Sequence, residues 1–141
     1  MQERRIDIAL LILRIVLGTT MAFMHGWLKL TGGVEGWESL GKTMQHVGIG
    51  FFPVFWGFMA MLIEVGGGIC LILGVAVRPV AGAMLLVMCM ALIANLAEGY
   101  GWEGSVEILE VSAILVCLLL LGSGGIKVGG KGVRVEGNKK L

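Results

Sequence analysis

The residues able to do chemistry in this chain are few, and they stand in apolar surroundings. Glu64 is the lone acid in an apolar run from Pro53 to Gly74, and Arg14 interrupts another that extends from Ile6 to about Leu30. Arg14, Gly18, Met21, His25 and Lys29 recur at steps of four, three, four and four, which aligns them as one stripe on a helix. Asn95 and Glu98 close a third apolar run, while Glu107 and Glu110, three apart and so on neighbouring faces, open a fourth. An ammonium or imidazole beside carboxylates in an apolar wall can hydrogen-bond a ligand carbonyl and relay protons to it. His25 or Lys29 would be the donor, with Glu64 and Glu110 as proton carriers.

Other chemistries are less well supplied. A b-type haem needs two axial ligands, and His25 is joined only by His46, which lies in a glycine-rich loop. Glu107, Glu110 and His25 would make a carboxylate metal site, but their spacing singles out no metal. Cys70, Cys89 and Cys117 lie in separate apolar segments with no C-x-x-C among them, so neither a dithiol pair nor a zinc knuckle is indicated. The expectation is no haem and no metal.

These residues need elements to hold them, and composition names the solvent those elements live in. Of the 141 residues, 57% are hydrophobic and only 15% are charged, which excludes a water-soluble globule. A net charge of +1 leaves no basic field for a polyphosphate backbone, so nucleic acid is excluded as a partner. Charges used as punctuation leave four segments near the roughly 20 residues that cross a bilayer: Ile6 to about Leu30, Pro53 to Gly74, Pro79 to Ala97 and Val106 to Gly122. Strands are excluded, because an open sheet edge cannot be satisfied in lipid and four segments cannot close a barrel. The expected fold is an all-α, antiparallel four-transmembrane-helix bundle, with a tight turn at Val75 to Arg78. The transmembrane domain occupies 1–122 and a Gly- and Lys-rich tail occupies 123–141.

The loop from Thr31 to Phe52, with six glycines among alternating polar and aromatic residues, predicts a short external amphipathic cap. Met1 to Arg5 has the look of a signal-peptide n-region, but Arg14 breaks the apolar core and no A-x-A follows, so the segment is read as retained. Arg4, Arg5, Arg78, Lys127, Lys131, Arg134, Lys139 and Lys140 must share one side, against Lys42 with Lys29 at the rim on the other. The positive-inside rule therefore places both termini in the cytoplasm. Trp27, Trp37, Trp56, Tyr100 and Trp102 all fall on the external side, either as an interfacial belt or as walls of a pocket that stack on a flat ligand.

Depth arithmetic pairs the two buried charges. At about 1.5 Å per residue Arg14 lies roughly 12 Å, and Glu64 about 15 Å, from the cytoplasmic ends of their helices. Gly18 and Gly68, each four residues on, let the two helices approach, so a buried Arg14–Glu64 ion pair is expected. Above it, His25, Lys29, Asn95, Glu107 and Glu110 are expected to converge with Glu64 on one polar chamber in the external half of the bundle.

The run Leu13-Arg14-Ile15-Val16-Leu17-Gly18, then His25-Gly26-x-x-Lys29-Leu30, then Leu62-Ile63-Glu64-Val65-Gly66-Gly67-Gly68, and finally Leu71-Ile72-Leu73-Gly74 with Arg78 after it, resembles the DoxX family of small four-helix membrane proteins. The resemblance covers residues 6 to about 122 and includes Arg14, His25, Lys29 and Glu64. It implies a prokaryotic plasma-membrane subunit of a quinone-linked oxidoreductase system, such as thiosulfate:quinone oxidoreductase, a quinol oxidase or a thiol and oxidative-stress assembly. A soluble or membrane redox partner would supply the electrons, and a homo-oligomer is compatible with it. The alternative is a non-enzymatic small-molecule carrier or an assembly scaffold.

Overall fold

The computed structural model describes residues 2–128, which are helical, with no strand among them. A rod from Gln2 to Thr31 crosses first, built from α1 (Gln2–Thr19), a π-helical segment (Thr20–Gly26) and α2 (Trp27–Thr31). The chain then lays down α3 (Gly33–Lys42) and a 3-10 turn (Thr43–Val47) as a cap. It returns through α4 (Pro53–Leu73), crosses again in α5 (Val77–Ala97) and comes back through α6 (Val106–Leu121) after a 3-10 turn at Glu103–Ser105. The four long helices are each long and apolar enough to span a membrane, and they form the expected antiparallel bundle. The end bearing α3 is called here the cap end, and the opposite one the basal end.

Local chemistry sets the boundaries. Pro53 opens α4, where its missing N–H costs nothing. Gly74 closes it in the left-handed region at φ 74°, and the Val75 N–H to Cys70 O and Gly74 N–H to Leu71 O bonds complete a Schellman closure. The turn is therefore Gly74–Ala76, and α5 has already begun at Val77, two residues earlier than the proline at position 79 suggested.

Small residues let the backbones meet. A Cβ on Gly18 would lie 2.5 Å from the Gly68 carbonyl oxygen, and one on Gly68 would lie 2.6 Å from that of Gly18, so α1 and α4 cross in backbone contact as their spacing predicted. Gly41 presses on the Pro53 backbone and Gly57 on that of Trp37, which clamps the cap onto the first turns of α4. Trp37 and Phe58 pack edge to face there at 5.1 Å. Below them, Leu17, Met21, Leu71, Met84, Leu115 and Leu118 fill the core shared by the four helices.

The tail reading changes in its first residues. Positions 123–128 turn back beneath the basal end as a strap. There the Gly125 N–H donates to Asp7 Oδ1 (2.7 Å), the Val128 N–H donates to Leu73 O (3.0 Å), and Arg14 holds the Ser123 and Ile126 carbonyls. Arg4, Arg5, Arg78 and Lys127 belong to this end, whereas Lys131, Arg134, Lys139 and Lys140 lie outside the described residues.

Candidate functional site: two chambers on one ion pair

Glu64 is paired with Lys29. The Lys29 Nζ lies 2.6 Å from both Glu64 carboxylate oxygens, and the Glu64 side chain is 1% exposed. The expected Arg14–Glu64 pair is not formed: Arg14 donates instead to the carbonyls of Ser123 (2.5 Å) and Ile126 (2.6 Å). Register explains the correction, and side-chain direction adds to it: Gly18 meets Gly68 on an antiparallel helix, so Arg14, one turn before Gly18, lies toward the basal end, and Glu64, one turn before Gly68, lies toward the cap. Helical side chains lean toward their own N-terminus, so the long Arg14 chain runs to the basal end, while Lys29 runs from the cap end into the membrane. Glu64, on an antiparallel helix, leans toward the cap and meets it. The π-helical segment adds a second cause, because its wider turn breaks the 3.6-residue period that placed Arg14 and Lys29 on one stripe.

Neighbouring elements hold the pair in place. The Trp37 indole N–H on α3 donates to the Lys29 carbonyl at 2.9 Å and ties the cap to the end of the first span. His25, in the π segment, has Nε2 3.1 Å from Glu107 Oε1 on α6. Asn95 Nδ2 donates to Gly104 O (3.1 Å) and Ser105 Oγ to Gly101 O (2.9 Å), which fixes the α5–α6 connection above them.

Two cavities share the ion pair as a wall. The smaller, about 230 Å³, is polar and is lined by His25, Lys29, Glu64, Asn95 and Glu107 with Met21, Met88 and Val111. The larger, about 490 Å³, lies between α4 and α5 beneath the cap and is mostly apolar, with Met59, Ile63, Leu86 and Met90 on its sides and Lys29, Glu64 and Asn95 at its polar end. Trp56 also lines it, and the indole Nε1 is buried with no hydrogen-bond partner. A buried donor left unpaired is costly, so an acceptor entering this cavity would find one waiting.

The structure thus gathers five of the seven expected site residues, His25, Lys29, Glu64, Asn95 and Glu107, around one polar chamber. Arg14 serves the basal end. Glu110 is exposed on the outer face of α6, because that helix turns Val111, Leu115 and Leu118 inward, so it joins neither the chamber nor a metal site with His25 and Glu107. The aromatic residues divide: Trp27, Tyr100 and Trp102 are exposed at the rim, while Trp37 and Trp56 turn inward and Trp56 alone of them lines the larger cavity near the pair. Trp56 as a cavity donor escaped the sequence reading, although its step of four to Ala60 and four more to Glu64 puts all three on one face of α4.

The family model for DoxX matches residues 9–97, a stretch holding His25, Lys29, Glu64 and Asn95 of the chamber but not Glu107 or Val111, and including both helices that meet at Gly18 and Gly68. Neither the curated proteins nor the solved structures contain a match to the chain. With the model covering well over half of its length and the four spanning helices in place, the chain belongs to the DoxX family.

Proposed function

We propose that this protein is the membrane subunit of a quinone-linked oxidoreductase system and that the larger cavity receives the quinone. One observation carries the reading: an apolar cavity of about 490 Å³ between α4 and α5 ends on the buried Glu64 with its partner Lys29 and on the unpartnered Trp56 N–H. Apolar walls with a few convergent polar groups are what a lipid-soluble ligand with a polar head requires. Bound quinone supplies the redox chemistry, taking two electrons and two protons per molecule to give quinol. The residues do the rest. Trp56 and Lys29 present N–H donors to a carbonyl oxygen, and Asn95 borders the same end. Glu64 holds and returns a proton, and the polar chamber behind it, with His25 against Glu107, connects that carboxylate toward the cap end. Electrons come from a redox partner protein. The basic residues of the basal end orient both termini to the cytoplasm of a prokaryotic plasma membrane.

The test is purification from native membrane in mild detergent, followed by mass spectrometry of co-extracted isoprenoid quinones and proteins and by titration with a short-chain quinone. Stoichiometric quinone with a flavin-, haem- or iron–sulfur-bearing partner is the expected result. A parent protein that binds no quinone overturns the reading in favour of a small-molecule carrier or an assembly scaffold.

A further inference from the structure

Arg14 is completely buried, and its hydrogen bonds go to two neutral acceptors, the carbonyls of Ser123 and Ile126. Its Nε has no partner. The ion pairs formed among the described residues do not include it, and the carboxylate expected to balance it, Glu64, is engaged by Lys29. A guanidinium buried in low dielectric calls for a counter-charge, and carbonyl dipoles meet that need only in part.

The basal end has room for one. A cavity of about 580 Å³ opens there, lined by Arg78, Lys127 and Asp7, by Gly74 and Val77, and by Gly122 with the first residues of the strap. Arg14 stands directly behind its wall: a Cβ on Gly74 would lie 2.5 Å from Nη1, and Ser123, whose carbonyl Arg14 holds, lines the cavity as well. Arg78 and Lys127 therefore add to a third positive charge one residue away, against the single carboxylate of Asp7, which accepts the Gly125 N–H. The N-terminus of α5, a helix of 21 residues, opens onto the same space with its own partial positive charge. The cavity also lies where α4 ends at Leu73, α5 begins at Val77 and α6 ends at Leu121, which is headgroup depth for spans of this length.

We propose that this cavity is a binding site for a phosphoryl anion, supplied by the headgroup of an anionic phospholipid, which gives Arg14 a counter-charge that no ion pair among the described residues provides. Arg78 and Lys127 hold the phosphate, and Arg14 acts on it through the field rather than by contact. The strap, pinned by Arg14 and Asp7, forms one side of the site, so lipid binding and strap docking reinforce each other.

The test uses the full chain in detergent, with no quinone in any arm. Native mass spectrometry counts retained lipid, and tryptophan fluorescence follows thermal melting during titration with phosphatidylglycerol, phosphatidylcholine or inorganic phosphate. Phosphatidylglycerol should remain bound and raise the melting temperature, and phosphatidylcholine should do neither. The Arg78→Gln/Lys127→Gln double variant should bind phosphatidylglycerol about thirty-fold more weakly, since each basic residue near an anionic headgroup contributes about a factor of five. Lys42→Gln, at the cap end, should bind as the parent does. Equal binding of the two lipids, or parent-like binding by the double variant, overturns the proposal. Protection by millimolar inorganic phosphate equal to that by phosphatidylglycerol overturns the lipid as source and makes the occupant a soluble phosphoryl compound.

Discussion

Lys29 reaches across to Glu64, 35 positions away, with Nζ 2.6 Å from each carboxylate oxygen, and the pair forms the common wall of a polar and an apolar cavity. Neither residue has another charged partner among the described ion pairs, so each is the other's compensation in a low-dielectric setting. The first prediction follows from this mutual dependence. Lys29→Met should cost about 3–5 kcal/mol, because the buried Glu64 charge is left behind, Glu64→Gln should cost less, because Lys29 is 29% exposed, and the double variant should cost clearly less than the sum. Thermal or denaturant melting of the three variants in detergent measures the coupling.

Trp56 separates ligand binding from stability. Trp56→Phe keeps a ring in the cavity wall but removes an N–H that has no protein partner, so the fold should lose less than about 1 kcal/mol. Binding of a short-chain quinone should weaken by about five-fold, the value of one neutral hydrogen bond of roughly 1 kcal/mol. Equilibrium titration beside a melting curve distinguishes the two effects.

The carboxylates of α6 should differ despite being one turn apart. Glu107→Gln removes the charge that faces His25 and should alter ligand binding, whereas Glu110→Gln, on the outer face, should leave both binding and stability within about 0.5 kcal/mol of the parent. A paired titration of the two variants checks this.

At the α1–α4 crossing, Gly68→Ala places a methyl group 2.6 Å from the Gly18 carbonyl oxygen and 2.8 Å from the Ala22 nitrogen, both backbone atoms that cannot swing aside. A loss of about 1–3 kcal/mol is expected from this overpacking. Gly66→Ala, two residues away with open space around it, should be tolerated, and its melting curve is the control.

Orientation can be read by labelling. In a background with Cys70, Cys89 and Cys117 replaced by Ala, Ser39→Cys in α3 should react with a membrane-impermeant maleimide added to intact cells, and Gln2→Cys should react only after lysis. External labelling at position 2 would reverse the assignment.

Much of this molecule is a direct consequence of its composition. Four apolar runs of bilayer length, each bounded by charge, glycine or proline, admit a helical bundle and little else, because the backbone in lipid must satisfy itself within each segment. The cap at Gly33–Lys42, the contact of Gly18 with Gly68 and the convergence of His25, Lys29, Glu64, Asn95 and Glu107 were legible for the same reason: helical period and depth are arithmetic on residue number. What that arithmetic cannot carry is direction. Arg14 and Glu64 lie on opposite sides of the Gly18–Gly68 crossing and their side chains lean toward opposite ends of the bundle, so which cation Glu64 meets depends on that register, on the lean and on a π-helical segment between Arg14 and Lys29. The rotation of α6, which keeps Glu107 and excludes Glu110, is decided by how Val111, Leu115 and Leu118 pack against the other helices. The docking of residues 123–128 likewise depends on donors and acceptors at Asp7, Arg14 and Leu73, more than fifty positions away in sequence, so only the assembled bundle brings them together.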